Sequence, residues 1–234
     1  MRAAGGVKRG GMIALALVVV AAVAWAVLWF TPVATVKEIR VEGVVNGDAA
    51  AISESTGIVV GEKLARVDTD AAARAVAADP WVEKVTVGRS WPSAVTVAVQ
   101  EHAAVIHMRA TDGEHLFNGE GVEFLVAPAP PGSVEVVRVP RVENPEPGKL
   151  DLDPVIVRAV LDVLAALPER VRGEVARVDA PGQADIALIL HDGREIYFGS
   201  SDRTREKGRA AEIVIDREGQ RWNVSNPAEP TLRN

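Results

Sequence analysis

The stretch from Trp81 to His102, WVEKVTVGRSWPSAVTVAVQEH, decides the fold of everything around it. Val85 and Val87 alternate with polar residues, and Trp91-Pro92-Ser93 then turns the chain. Val95, Val97 and Val99 alternate again with Thr96, Ala98 and Gln100. A period of two places successive side chains on opposite faces, so each run reads as a half-buried strand. An apolar face of that kind needs a cover.

The cover lies upstream. Val36, Ile39, Val41 and Val44 give an imperfect first strand. Asn46-Gly47-Asp48 offers helix-start chemistry, and Ala49 to Thr56 reads as a short helix closed by Gly57. Leu64 and Val67 fall in a loop. Asp68 or Thr69 can cap a second helix, Asp70 to Ala78, with Ala72, Ala73, Val76 and Ala77 on one face; Pro80 ends it. The order strand, helix, helix, strand, strand is α+β, with two helices on one face of a small sheet.

Several residues in this order carry a likeness. The Gly61-Glu62 turn, Trp81-Val82, and Arg89-Ser90-Trp91-Pro92 leading into a Val-rich strand that ends in Glu101 resemble the POTRA domain of the FtsQ/DivIB family. That family follows the Glu with a basic residue and a Pro, where this chain has His102-Ala103-Ala104. Trp81, Arg89, Trp91 and Pro92 are read as core and turn residues that identify a fold rather than a site.

Upstream again, Met12 to Phe30 reads MIALALVVVAAVAWAVLWF, without charge, Pro or Gly. As a helix it reaches about 28 Å, close to the ~30 Å hydrocarbon core of a bilayer. Trp25, Trp29 and Phe30 gather at one end, as aromatic rings do at the headgroup boundary, and Arg2, Lys8 and Arg9 lie before the other. The expectation is a cytoplasmic tail over 1–11 and a single transmembrane helix over 12–30. A cleaved signal peptide is the competing reading, but its apolar run is shorter and ends in small residues, not Leu28-Trp29-Phe30.

The POTRA-like region is bounded at 34–102, and a mixed β-domain with flanking helices is expected over 103–226. Val105 to Met108 is a strand, Thr111-Asp112-Gly113 turns into Leu116-Phe117, and Asn118-Gly119 turns toward Val122 to Val126. A loop holds Pro128, Pro130, Pro131 and Gly132. Val134 to Val139 follows, then a second loop with Pro140, Pro145, Pro147 and Gly148. Pro154 to Leu167 is the clearest helix here, capped by Asp153, lined by Val157, Val160, Leu161 and Leu164, and stopped by Pro168. Strands recur at Val175 to Val178 and Ile186 to Leu190, and Asp192-Gly193 turns into Glu195 to Phe198. A helix from Asp202 to about Arg217 contains Gly208, which costs about 1 kcal/mol relative to Ala and so reads as a soft spot. Arg221 to Ser225 is the last strand, and 227–234 is a polar tail. Phe198-Gly199-Ser200, Glu206-Lys207 and Trp222-Asn223-Val224-Ser225 are similar to the closing stretch of the same family, so the likeness covers nearly the whole chain after residue 30.

Chemistry is harder to find. A Walker lysine loop, a dinucleotide glycine fingerprint, His-Glu-x-x-His and Ser-x-x-Lys are all absent. There is no cysteine, which excludes disulfides, thiol nucleophiles and thiolate metal sites. His102, His107, His115 and His191 are scattered and read as solvated. Asp68, Asp153 and Asp202 sit at helix starts, where capping accounts for them. Of the 26 basic side chains all but three follow residue 30, as do all 32 acidic ones, a formal charge of −9 that does not suit nucleic acid. No cofactor or metal is expected. The sequon Asn223-Val224-Ser225 carries no weight if the chain is bacterial, as the likeness implies.

The resemblance implies a non-catalytic scaffold of the bacterial divisome. It implies FtsB- and FtsL-type partners bound outside the membrane, a link to the septal peptidoglycan synthase, and a septal location in the cell membrane. A POTRA-type chaperone or translocation module and a membrane-anchored hydrolase are the other classes, the first lacking a following barrel and the second lacking a cluster of reactive residues. The expected partner site is Arg221, Trp222, Asn223, Val224, Ser225 and Asn226. Trp222 and Val224 face the core, while Arg221, Asn223 and Ser225 point outward beside an unpaired edge that a partner strand could join. The competing reading folds the tail back over that edge.

Overall fold

The structure, a computed structural model, describes residues 12, 14–23, 34–142 and 149–233. Met12 and residues 14–23 are helical and exposed. The expected 1–11 tail, residues 13 and 24–30 of the expected span, and Pro145, Pro147 and Gly148 of the second loop lie outside the described residues. Among the described residues no helix is long and apolar enough to cross a membrane. The chain divides into two compact units, Met1–Glu101 and His102–Asn234.

The first unit holds β1 (Glu38–Glu42), α1 (Ala49–Ser55), α2 (Thr69–Val76), β2 (Val82–Ser90) and β3 (Ala94–Glu101). β3 is central. β1 runs parallel to it with Glu38 opposite Ala94, and β2 runs antiparallel with Ser90 opposite Ala94. Both helices start where a short acidic side chain can accept otherwise unpaired backbone N–H groups. Asp48 accepts from Ala50 at 2.8 Å, and Asp68 accepts from Asp70 and Ala71 at 3.1 and 2.9 Å. Val95, Val97 and Val99 are buried against Val36, Ile52, Leu64, Val67 and Val76, as their alternation demands. Ala77, expected on the buried face of α2, is instead its exposed C-cap.

Two polar side chains tie this unit together. Arg89 donates through Nε to Leu64 O at 3.0 Å and through Nη2 to Val67 O at 2.6 Å, pinning the helical turn between α1 and α2. The Glu101 carboxylate accepts from the backbone N–H groups of Val45, Asn46 and Gly47 and from Asn46 Nδ2. Burial alone pushes the Glu101 pKa up, but these hydrogen bonds outweigh it and hold the group below the usual carboxylate value. Trp91 corrects one expectation: it belongs to the turn but not to the core, being 52% exposed.

The second unit builds one nine-stranded sheet in the order β12-β11-β10-β9-β8-β7-β4-β5-β6. The strands are β4 (Ile106–Arg109), β5 (Glu114–Phe117), β6 (Glu123–Val126), β7 (Val134–Val137), β8 (Val175–Gly182), β9 (Asp185–Leu190), β10 (Glu195–Gly199), β11 (Arg221–Asn223) and β12 (Thr231–Leu232). The pairs β4–β7, β7–β8 and β10–β11 are parallel and the rest antiparallel. Helices α3 (Pro154–Ala166), α4 (Glu169–Glu174) and α5 (Thr204–Val214) complete it. Asp153 caps α3 through Val155 N–H at 2.9 Å, with Pro154 in the first turn. Val157, Val160, Leu161 and Leu164 are buried with Val178, Leu188, Ile196, Phe198, Ala211 and Val214. Pro168 does stop α3, but it also starts α4, a helix too short to show a hydrophobic period in the sequence.

Gly208 is no soft spot. A Cβ there would stand 2.7 Å from Ala166 O and 3.4 Å from Pro168 Cδ, so the missing side chain lets α5 press against the end of α3. Gly208→Ala should gain about 1 kcal/mol of helix propensity. The overpacking should cost about 2–3 kcal/mol, leaving a net destabilisation of roughly 1–2 kcal/mol. Urea titration of the chain reads the sign directly: a raised midpoint would refute the close-packing account.

Candidate partner-binding edge

β11 is held by β10 on one side. Glu195, Ile196 and Tyr197 lie opposite Arg221, Trp222 and Asn223, and Val224 N–H donates to Tyr197 O at 2.9 Å. The alternation expected from the sequence holds: Trp222 and Val224 are buried, Arg221 and Ser225 exposed, and Asn223 half-buried. Asn226 is exposed in the turn that follows.

The other side of β11 corrects the expectation of a free edge. The tail folds back, and β12 pairs antiparallel with β11, Leu232 opposite Trp222 and Thr231 opposite Asn223. Arg233 N–H donates to Arg221 O at 2.7 Å, and the Arg233 guanidinium lies 4.6 Å from the Tyr197 ring. Pro227 and Pro230 do not prevent this, because both precede the paired residues. Ser225 also differs from expectation. The strand ends at Asn223, and Ser225 N–H is taken by Asn223 Oδ1 at 2.9 Å rather than by a ladder.

The cover is thin. β12 has two residues, both exposed, with Leu232 at 50%. Beneath it Trp222 is 9% exposed, and its Nε1 is buried without a hydrogen-bond partner among the described residues. A buried donor left unpaired costs about 1–3 kcal/mol. At the far end of the sheet β6 is more firmly fixed. Glu123 accepts from Leu150 N–H at 3.0 Å and pairs with His115 at 2.7 Å.

The histidines divide. His191 is exposed, and His102 stacks on Phe124 with ring centroids 4.9 Å apart. His107 and His115 are not solvated as expected but buried. His107 Nδ1 lies 2.9 Å from Ser133 Oγ, and burial depresses its pKa despite Glu114 and Glu135 nearby. Burial also works against a charged His115, but Asp112 at 3.0 Å and Glu123 at 2.7 Å prevail and raise its pKa. Among the described residues no group of three or more His, Asp or Glu could hold a metal ion.

Asp202 is not a helix cap. Arg203 occupies that position, and Asp202 instead receives Lys207 Nζ at 2.6 Å and Ser200 Oγ. Lys207 also donates to Ser200 O at 2.9 Å and is 1% exposed. These contacts fix the end of β10, the strand on which β11 rests. No sequence period points to a buried lysine, so the pattern alone gave no warning of it.

The family model described as a POTRA domain of the FtsQ type matches residues 34–102. The chain is 38% identical over 217 residues to the cell division protein FtsQ of Corynebacterium glutamicum, covering 93% of this chain and 95% of that one. It is 34% identical to that of Mycobacterium tuberculosis, covering 99% of this chain and 72% of the relative. It is 35% identical to that of Mycolicibacterium smegmatis, spanning 63% of that longer protein.

Proposed function

The chain belongs to the FtsQ family of cell-division proteins, and from that premise we propose that it is a non-catalytic scaffold of the divisome, anchored in the cell membrane through residues 12–30. The N-terminus is cytoplasmic and both folded units lie outside, where they bind FtsB- and FtsL-type partners at the division septum. Through them the chain recruits and regulates the septal peptidoglycan synthase. The partner site is the Arg221–Asn226 edge, joined by strand addition.

The observation that carries this reading is the state of that edge. A two-residue strand covers it, above a tryptophan whose indole N–H lacks an acceptor. A longer partner strand can replace β12, extend the ladder along β11 and offer Trp222 a carbonyl. β12 then acts as a placeholder that blunts the edge until the partner arrives.

Deleting residues 227–234 tests this. Releasing β12 removes backbone hydrogen bonds worth about 0.5–1.5 kcal/mol each. Capture of an FtsB-type partner segment should therefore tighten about tenfold, the equivalent of about 1.4 kcal/mol. Weakened capture would move the contact onto β12 itself, and capture by neither chain would remove the partner assignment.

A further inference from the structure

One end of the first unit collects the exposed apolar residues. Where the chain enters the unit, Val36 N–H donates to Glu62 O at 2.9 Å and Gly61 N–H donates to Val36 O at 2.7 Å. Leu64 N–H donates to Ala34 O at 3.0 Å, and Lys37 N–H donates to Ser93 O at 2.8 Å. Two turns, Val59 to Glu62 and Trp91 to Ser93, are thereby strapped beside the incoming chain. They carry Val59 at 65% exposure, Val60 at 62% and Trp91 at 52%. The other exposed large apolar residue among those described in residues 34–101 is Val45, near the opposite end with Glu101.

The covalent chain says what faces this end. Only residues 31–33 separate Ala34 from Phe30, the last residue of the uncharged run. Four Cα–Cα steps reach at most roughly 14 Å. If residues 12–30 span a bilayer, Val59, Val60 and Trp91 sit at the end tethered closest to its surface. Tryptophan favours the headgroup boundary, where its ring is apolar and its N–H stays wet. Charges at this end are mixed, with Lys37, Lys63, Arg66 and Arg89 against Glu38, Glu62, Asp68 and Asp70. The attraction is therefore apolar, and zwitterionic lipid suffices.

We propose that this end of the POTRA unit docks on the bilayer, with Trp91, Val59 and Val60 seated at the boundary between headgroups and acyl chains. The proposal rests on the reading of residues 12–30 as a span. Docking fixes the height and tilt of the three-stranded unit, so that the edges of β1 and β2 are held at a set distance from the membrane.

Because the chain has no cysteine, a single introduced thiol can be labelled without ambiguity. The full chain is reconstituted, one copy per disc, in phosphatidylcholine nanodiscs containing a lipid with a shallow spin label. A fluorophore sits at Val60→Cys or, as a reference, at Val45→Cys. Quenching at position 60 should exceed that at position 45 at least threefold and be insensitive to salt. The excess should vanish in a Val59→Ser, Trp91→Ser background whose circular dichroism is unchanged. Equal quenching at both positions overturns the docking, whether the patch is then idle or kept for another protein. Flotation of the unlabelled chain with liposomes after an alkaline wash reads the span separately, and failure to float overturns both readings.

Discussion

Lys207→Ala is expected to lower the unfolding free energy of the second unit by about 3 kcal/mol, because about three buried CH₂ groups are lost at ~0.8 kcal/mol each and Ser200 O is left without its donor. The lysine is 1% exposed, and its ammonium lies 5.9 Å from the Phe198 ring. Asp202 is 67% exposed on its side chain, so solvent screens much of that pairing. Packing should therefore outweigh charge, and Lys207→Met, which keeps most of the stem, should cost only about 1 kcal/mol. Equal losses in chemical denaturation for Ala and Met would reverse that ranking. The pH dependence has a defined sign. Lys207 and Ser200 depress the Asp202 pKa from 3.8 to about 2, so its contribution is complete above pH 3.8 and fades as pH falls toward about 2. Lys207→Met should weaken that acid dependence. Since Ser200 directly follows β10, and β10 carries β11, a softened Lys207 contact should also loosen the proposed partner edge.

How much of this was legible in the sequence depends on whether an energy term leaves a period. Val85 and Val87, then Val95, Val97 and Val99, advertised their strands because alternation is forced by a pleat with one dry face. Asp48, Asp68 and Asp153 advertised helix starts because a cap acts within three residues of itself. Asp202 has the same local spelling and a different role, decided by a lysine whose burial depends on how α5 meets the rest of its unit. His115 next to an Asp-Gly turn looked solvated, yet Glu123 on the neighbouring strand encloses it. Gly208 looked like a weakness because propensity is a local quantity, while the carbonyl of Ala166 that requires it is 42 residues away in the chain. The proposed partner edge was legible in its inward and outward faces but not in its cover. Two residues beyond two prolines carry too little pattern to announce a strand, and their pairing is fixed by β11 rather than by themselves.

The same distinction gives the sharpest test of the first unit. Gly43→Ala is expected to destabilise it by about 2–5 kcal/mol. Gly43 follows β1 with φ +85°, a region where a Cβ costs about 1–2 kcal/mol. That Cβ would also stand 2.0 Å from Val99 O, a backbone atom of the central strand that cannot swing aside. Moving β3 enough to relieve the clash disturbs the ladders to β1 and β2 together, at roughly a further 1–3 kcal/mol. Small domains hold only about 5–15 kcal/mol in total, so hydrogen exchange should show residues 34–101 losing most of their protection. Every strand of the nine-stranded sheet lies after His102, so its ladder should keep its protection, and capture of an FtsB-type segment at the proposed Arg221–Asn226 site should persist. If the POTRA unit is what brings the chain to the septum, a fluorescent fusion carrying Gly43→Ala should remain in the membrane but spread along the cell. Septal enrichment that survives the measured loss of protection would assign recruitment to the second unit or to residues 1–33.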